Sequence, residues 1–227
     1  MNRLLSFIFI VTMLTACRSA DTLGKSEIEK ELEQLGLCNV AEEVPGVEVY
    51  MVYATPYNFM GRVLYEELDE AYLVPEAMEK LRMANEILRK KRLDLHLVVY
   101  DAARPRSIQQ QMWKAVENTE LQEFVANPNR RGGGPHNYGI AVDVTLVDCT
   151  GHPLPMGSEY DYFGDRARVD LEPQLIAKGE ISERELKNRK LLREIMTEAG
   201  WLTIPSEWWH FNAMPLAEAS QRLSVIK

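Results

Sequence analysis

Apolar and polar side chains alternate along residues 47–53, Val47-Glu48-Val49-Tyr50-Met51-Val52-Tyr53, with the two-residue period of a strand, and Thr55-Pro56-Tyr57-Asn58 then signals a loop. From Pro75 the period changes. Met78, Leu81, Ala84 and Leu88 recur at helical spacing, and a proline suits the first helical turn, so a helix is predicted over 75–92. It closes on Arg89-Lys90-Lys91-Arg92, cations that oppose the helix dipole at its C-terminus. Residues 93–100 read as a strand, and Ser107 is placed to cap a helix reaching residue 116. The run 140–147 is strongly β-prone. Ser182-Glu183-Arg184-Glu185 forms a capping box that opens a helix ending at Gly200, with Leu186, Ile195 and Ala199 among its apolar positions. Residues 208–212 make the last strand. Earlier, Ile28, Leu32 and Leu35 mark a short leading helix inside a polar stretch. Strands and helices mix without regular βαβ alternation or internal repeat. The expected fold is therefore one α+β domain with a central, mainly antiparallel sheet flanked by helices.

The N-terminus adds a destination. Met1-Asn2-Arg3, an apolar run from Leu4 to Leu14 and the small residues Thr15-Ala16 make a secretory signal, too short for the roughly 20 residues of a membrane span. Leu14-Thr15-Ala16-Cys17 resembles the lipobox of bacterial lipoproteins, in which the cysteine carries the lipid. Arg18, with no Asp beside it, resembles the outer-membrane sorting pattern. The organisation expected is a signal over 1–16, a tether and leading helix over 17–44, and a catalytic domain over 45–227, on the periplasmic side of a bacterial envelope. Losing Arg3 takes the formal charge from −8 to −9. An acidic chain whose basic run at 89–92 serves to close a helix argues against a nucleic-acid partner. Cys38 and Cys149 read as two isolated buried thiols rather than a disulfide.

The candidate chemistry lies in His136-Asn-Tyr-Gly-Ile-Ala-Val-Asp143 and in Glu207-Trp-Trp-His210. Two imidazoles and a carboxylate can hold one zinc ion, and a second carboxylate is left to handle protons. In the strand at 140–147, Ile140, Val142, Val144 and Leu146 share one face, while Ala141, Asp143 and Thr145 share the other. The first face is core; the second leaves room beside Asp143 for an ion. His136 follows Gly132-Gly133-Gly134-Pro135, a loop able to bring backbone close to a ligand. Glu207 and His210 are three apart, which separates them on a flat strand, so Glu207 is expected in the entering loop or a bulge and His210 on the strand. His136, Asp143 and His210 then hold the metal and Glu207 acts as general base. Glu207 as third ligand, with Asp143 behind it, stays open. Arg104, directly after a strand, is placed to stabilise a developing oxyanion. Trp208 and Trp209 read as core, and His96 and His152 stay outside the site.

At these residues the chain resembles the VanX-like D-alanyl-D-alanine dipeptidases, zinc D,D-peptidases related in fold to hedgehog domains. The family pattern Ser-x-His-x-x-Gly-x-Ala-x-Asp is met by His136, Gly139, Ala141 and Asp143, and Glu-x-x-His by Glu207 and His210. Arg104-Pro105 matches the family's transition-state arginine. Met156-Gly157-Ser158-Glu159-Tyr160-Asp161 resembles its Met-Gly-Ser/Thr…Phe-Asp segment, which assigns the substrate ammonium to Asp161. Tyr57-Asn58-Phe59-Met60-Gly61 looks like its N-terminal signature. The resemblance implies one zinc per chain, a small D-dipeptide substrate, and a role in cell-wall peptide turnover. Two departures stand out. Gly134 replaces the family serine, removing a hydroxyl expected to contact the dipeptide, and Asp101-Ala102-Ala103-Arg104 replaces Asp-Gly-Tyr-Arg. Both suggest a roomier pocket or one of altered specificity. A D,D-carboxypeptidase acting on longer stem peptides, or a non-catalytic peptidoglycan-binding lipoprotein, are the competing readings.

Overall fold

A computed structural model of the chain describes residues 24–130 and 132–227. The signal expected over 1–16 and the lipid site expected at Cys17 lie outside the described residues. Ser26 opens α1 (Glu27–Gln34) with a full capping box through Glu29. α1 sends Leu32 into the core, while Leu35 stays on the surface. β1 (Cys38–Asn39) follows, then α2 (Val40–Glu43), capped by the Asn39 side chain. β2 (Val47–Val49) is shorter than its alternation predicts. The chain turns into a 3₁₀ turn at Val52–Ala54, which buries Tyr53 instead of extending it. β3 (Tyr72–Leu73) pairs antiparallel with β1.

α3 (Pro75–Lys91) has Pro75 in its first turn, and Ala77, Met78, Leu81, Ala84 and Leu88 lie on its buried face. Truncating a buried leucine such as Leu81 to alanine costs about 2–5 kcal/mol. β4 (Leu95–Asp101) leads into α4 (Arg106–Ala115). Ser107 does not cap α4: Pro105 occupies the cap position, its fixed φ of −55° starting the helix without a side-chain acceptor. β5 (Ala141–Asp148) is the central strand. Then come α5 (Glu172–Lys178), α6 (Glu183–Glu198) with the predicted Ser182–Glu185 capping box, and β6 (Leu202–Thr203). β7 (His210–Asn212) and α7 (Leu216–Arg222) end the fold. β7 starts at His210, leaving Trp208 and Trp209 in the preceding loop.

The main sheet runs β2-β4-β5-β7-β6, with β2 and β4 parallel and the other pairs antiparallel. α3 and α6 pack on each other and on this sheet, covering the face that carries Val142, Val144 and Leu146. This is a single mixed α+β domain. Cys38 and Cys149 are both free thiols, but neither is buried as expected: Cys38 is half-buried and Cys149 is exposed in the turn after β5.

Candidate active site

Three adjacent strands set one residue each in a row. Asp101 at the end of β4 lies opposite Asp143 of β5, and Asp143 lies opposite His210 at the start of β7. Regular pairing would put Tyr100 in that row, but a bulge between Val99 and Asp101 shifts the register by one residue. His136 reaches the same point from outside the sheet, on a 3₁₀ turn at Pro135–Tyr138. Buried Asn137 braces that turn. Its Oδ1 accepts from the Gly134 N–H at 2.8 Å, and its Nδ2 donates to the Arg104 carbonyl at 2.8 Å. The Arg104 N–H in turn donates to the His136 carbonyl at 3.0 Å. At Gly133, where φ is 122°, a Cβ would collide with Asn137 Oδ1, so the approach to the turn requires glycine.

The three candidate ligands present one atom each. His136 Nε2 lies 3.3 Å from Asp143 Oδ1, His210 Nδ1 lies 2.9 Å from that same oxygen, and the two ring nitrogens are 3.1 Å apart. The other side of each ring fixes its tautomer. His136 Nδ1 is 2.7 Å from the Ala102 carbonyl, which only accepts, so Nδ1 carries the hydrogen and Nε2 a lone pair. His210 Nε2 donates to Asn212 Oδ1 at 2.9 Å, leaving the Nδ1 lone pair facing inward. Two lone pairs and a carboxylate oxygen thus converge where only a cation satisfies all three, and the donor set fits a metal ion. Burial works against the Asp143 charge, but the two imidazoles hold its carboxyl well below the usual range. Asp143 completes this group. Glu207 stands beside it, with Oε2 3.9 Å from His210 Nδ1.

Glu207 sits in the loop leading into β7. Desolvation pushes its carboxyl up to about 7, His210 and Arg104 opposing the rise and Asp143 and Asp161 adding to it. Buried Arg104 is clamped: Nε and Nη2 donate to Asp101, Nη1 donates to Gln109 Oε1 at 2.8 Å, and the guanidinium lies 5.1 Å from the centre of the Tyr53 ring. With three of its five N–H groups engaged, two remain for another acceptor. Asp161, at φ 58°, accepts from the Tyr53 hydroxyl through Oδ1 at 2.8 Å, while its buried Oδ2 has no partner. Burial raises that carboxyl to about 7, against the pull of the Tyr53 hydroxyl and the Arg104 charge. An unpaired buried acceptor is costly, so Oδ2 is built to meet a donor.

Arg104, His136, Asp143, Asp161, Glu207 and His210 all line one cavity of about 260 Å³, below the roughly 300–1,000 Å³ of sites for drug-sized ligands. Phe59, Phe124 and Phe163 line it as well, with Phe163 stacked on Phe124 at 5.4 Å and tilted against Phe59 at 4.9 Å. A larger groove of about 630 Å³ runs past Tyr160 and Trp208 but holds none of the metal-site residues.

Gly134 lines the cavity as well, without widening it. A Cβ there would lie 2.8 Å from the Ala126 methyl, so Ala126 fills the space of the absent side chain. Ala102 and Ala103 are fully buried and their side chains stay off the cavity wall. At Gly134, then, the missing side chain leaves no open space of its own. His96 lies half-buried on β4, and exposed His152 bonds Thr150, both away from the site. Trp208 and Trp209 are buried, and Trp209 also lines the cavity. Sequence reasoning passed over Tyr53, Asp101, Gln109, Asn137 and Asn212, which hold the site residues in place. Of these, Asp101 and Asn137 carried a signal, each lying inside a motif already singled out.

The α+β scaffold thus gathers a donor set that fits a metal ion beside a buried carboxylate and an arginine, an arrangement suited to a metallopeptidase. Residues 33–226 match the family model described as D-ala-D-ala dipeptidase, and the chain belongs to that family. It is 32% identical over 176 residues to the D-alanyl-D-alanine dipeptidase of Escherichia coli (strain K12), covering 78% of this chain and 83% of that protein. To the D-alanyl-D-alanine dipeptidase of Enterococcus faecium it is 28% identical over 196 residues, covering 78% and 91%.

Proposed function

We propose that this chain hydrolyses D-alanyl-D-alanine, or a similarly small D-dipeptide, with one zinc ion held by His136, Asp143 and His210, in the turnover of bacterial cell-wall peptides. The carrying observation is the unpartnered Asp161 Oδ2, buried in the same 260 Å³ cavity as the three ligand atoms. A carboxylate there receives the substrate ammonium, and a cavity of that size leaves room for little more than two small residues. The names of the relatives agree with this substrate.

Zinc, when bound, supplies a Lewis acid that polarises a carbonyl and acidifies water. The protein residues do the rest. The Ala102 carbonyl and the Asn212 amide hold the two imidazoles in the tautomers that face the ion. Glu207, poised near neutrality, takes a proton from the attacking water and passes it to the departing amine nitrogen. The two unused N–H groups of Arg104 donate to the oxygen of the scissile carbonyl as it gains charge. Asp101 and Gln109 keep the guanidinium from swinging away. Asp161 Oδ2 and the Tyr53 ring position the substrate's amino end.

The pattern over residues 1–17 supports attachment to the periplasmic side of the outer membrane through a lipid on Cys17. No described helix is long and apolar enough to cross a membrane. Purified zinc-loaded protein given D-Ala-D-Ala and, separately, a stem pentapeptide ending in D-Ala-D-Ala should show far higher kcat/KM on the dipeptide. A preference for the pentapeptide would refute the dipeptidase reading in favour of a carboxypeptidase.

A further inference from the structure

Asp143 can offer a metal one oxygen or two, and the structure contains a device that decides between them. Oδ1 faces both imidazoles, at 2.9 Å from His210 and 3.3 Å from His136. Oδ2 points the other way and accepts a hydrogen bond from the Tyr160 hydroxyl at 2.9 Å. The same Oδ2 is 4.0 Å from Arg104 Nη2, a long ion pair that would close to a direct hydrogen bond if nothing else held the oxygen. We infer that Tyr160 is a positioning residue for the metal centre: its phenol restricts Asp143 to one-oxygen ligation and keeps the carboxylate from capturing Arg104.

The mount for this phenol is rigid. The Tyr160 ring lies 5.4 Å from Trp209, 5.3 Å from Tyr100 and 6.1 Å from Tyr53, all in edge or tilted contact. Its segment is anchored from beneath by Arg189, a fully buried guanidinium that donates to the carbonyls of Met156 and Arg166 on either side of it. The family segment described above carries Phe before its Asp, and this chain carries Tyr160 there. The effect of its hydroxyl follows from coordination chemistry. A carboxylate with one oxygen occupied by a donor presents the other as a single ligand, which keeps the ion four-coordinate with a position for water. Without the phenol, Oδ2 is released both toward the ion and toward Arg104, so ligand order and the arginine's availability are lost together.

The inference rests on the metal reading proposed above, and the test separates the two. Zinc affinity of the purified wild type, Tyr160→Phe and Tyr100→Phe is measured by chelator competition, and the visible absorption of each is recorded after cobalt(II) substitution. Tyr160→Phe keeps the ring and its cage, and its zinc affinity should change by about 10-fold or more as Oδ2 is released. Its cobalt spectrum should lose the intense bands of a tetrahedral ion. Tyr100→Phe removes a neighbouring phenol that has no bond to Asp143 and should match wild type in both readouts. Zinc affinity and a cobalt spectrum both unchanged in Tyr160→Phe overturn the inference alone. An equal loss in Tyr100→Phe overturns it too, because general loosening of the cage would then explain the effect. A wild-type protein that takes up no zinc overturns the metal reading and the inference with it.

Discussion

Replacing Asp161 with asparagine should stabilise the metal-free protein while disabling the enzyme. The Asp161 carboxyl stands near 7 in the fold against an ordinary 3.8, chiefly because burial penalises its charge. The folded state therefore keeps a proton that the unfolded chain has already released, and the stability this contributes is full below pH 3.8. It drains away as pH rises toward 7 and is gone above it. At about 1.4 kcal/mol for each pH unit between the two values, the ionised carboxylate costs the fold about 4 kcal/mol at pH 8. Asparagine does not titrate, and its Oδ1 can still accept from the Tyr53 hydroxyl. Allowing for burial of the amide, metal-free Asp161→Asn should be more stable than its parent by about 2–4 kcal/mol at pH 8, roughly 5–15 °C in Tm for a chain of this length. At pH 5 the gap should shrink to less than half. Thermal melts of both chelator-treated proteins at the two pH values measure this. A variant that melts no higher than the parent at pH 8, or a gap that does not narrow at pH 5, would refute the reasoning. In the zinc-loaded enzyme the same substitution should lower kcat/KM for D-Ala-D-Ala by about 10²-fold, the scale of one lost charged hydrogen bond.

Glu207→Gln should retain zinc, because Glu207 lies outside the three-ligand group, yet lose about 10²–10⁴-fold in kcat. His210→Ala should lose the metal itself; metal analysis beside steady-state rates distinguishes the two, and unchanged zinc in His210→Ala would contradict the ligand assignment. Gly134→Ser should destabilise by about 1–3 kcal/mol, since the backbone there (φ −89°) accepts any residue but the new Cβ meets Ala126 at 2.8 Å. Adding Ala126→Gly should recover most of that loss in thermal melts. A single Gly134→Ser protein as stable as its parent would show that Ala126 yields freely.

Local chemistry made much of this protein legible in its residues. The helix of α3 follows from Pro75 and the spacing of Met78, Leu81, Ala84 and Leu88, and the opening of α6 from Ser182 and Glu185, since caps and apolar stripes act over a few residues. The β-prone run made β5, and the ligand and base types at His136, Asp143, Glu207 and His210 named a metal chemistry before any fold was known. What no local rule contains is contact between distant segments. The bulge that turns Asp101 rather than Tyr100 toward Asp143 is set by strand pairing, and the 3₁₀ turn at Val52–Ala54 overrides an alternating pattern in order to bury Tyr53. The tautomers of both histidines depend on Ala102 and Asn212, the second oxygen of Asp143 on Tyr160, and the space at Gly134 on Ala126. The sequence by itself determined which groups could do the chemistry, because that is a property of side chains. Only the tertiary structure decided which lone pair, which oxygen and which donor each of them presents, because those are properties of neighbours brought together by folding.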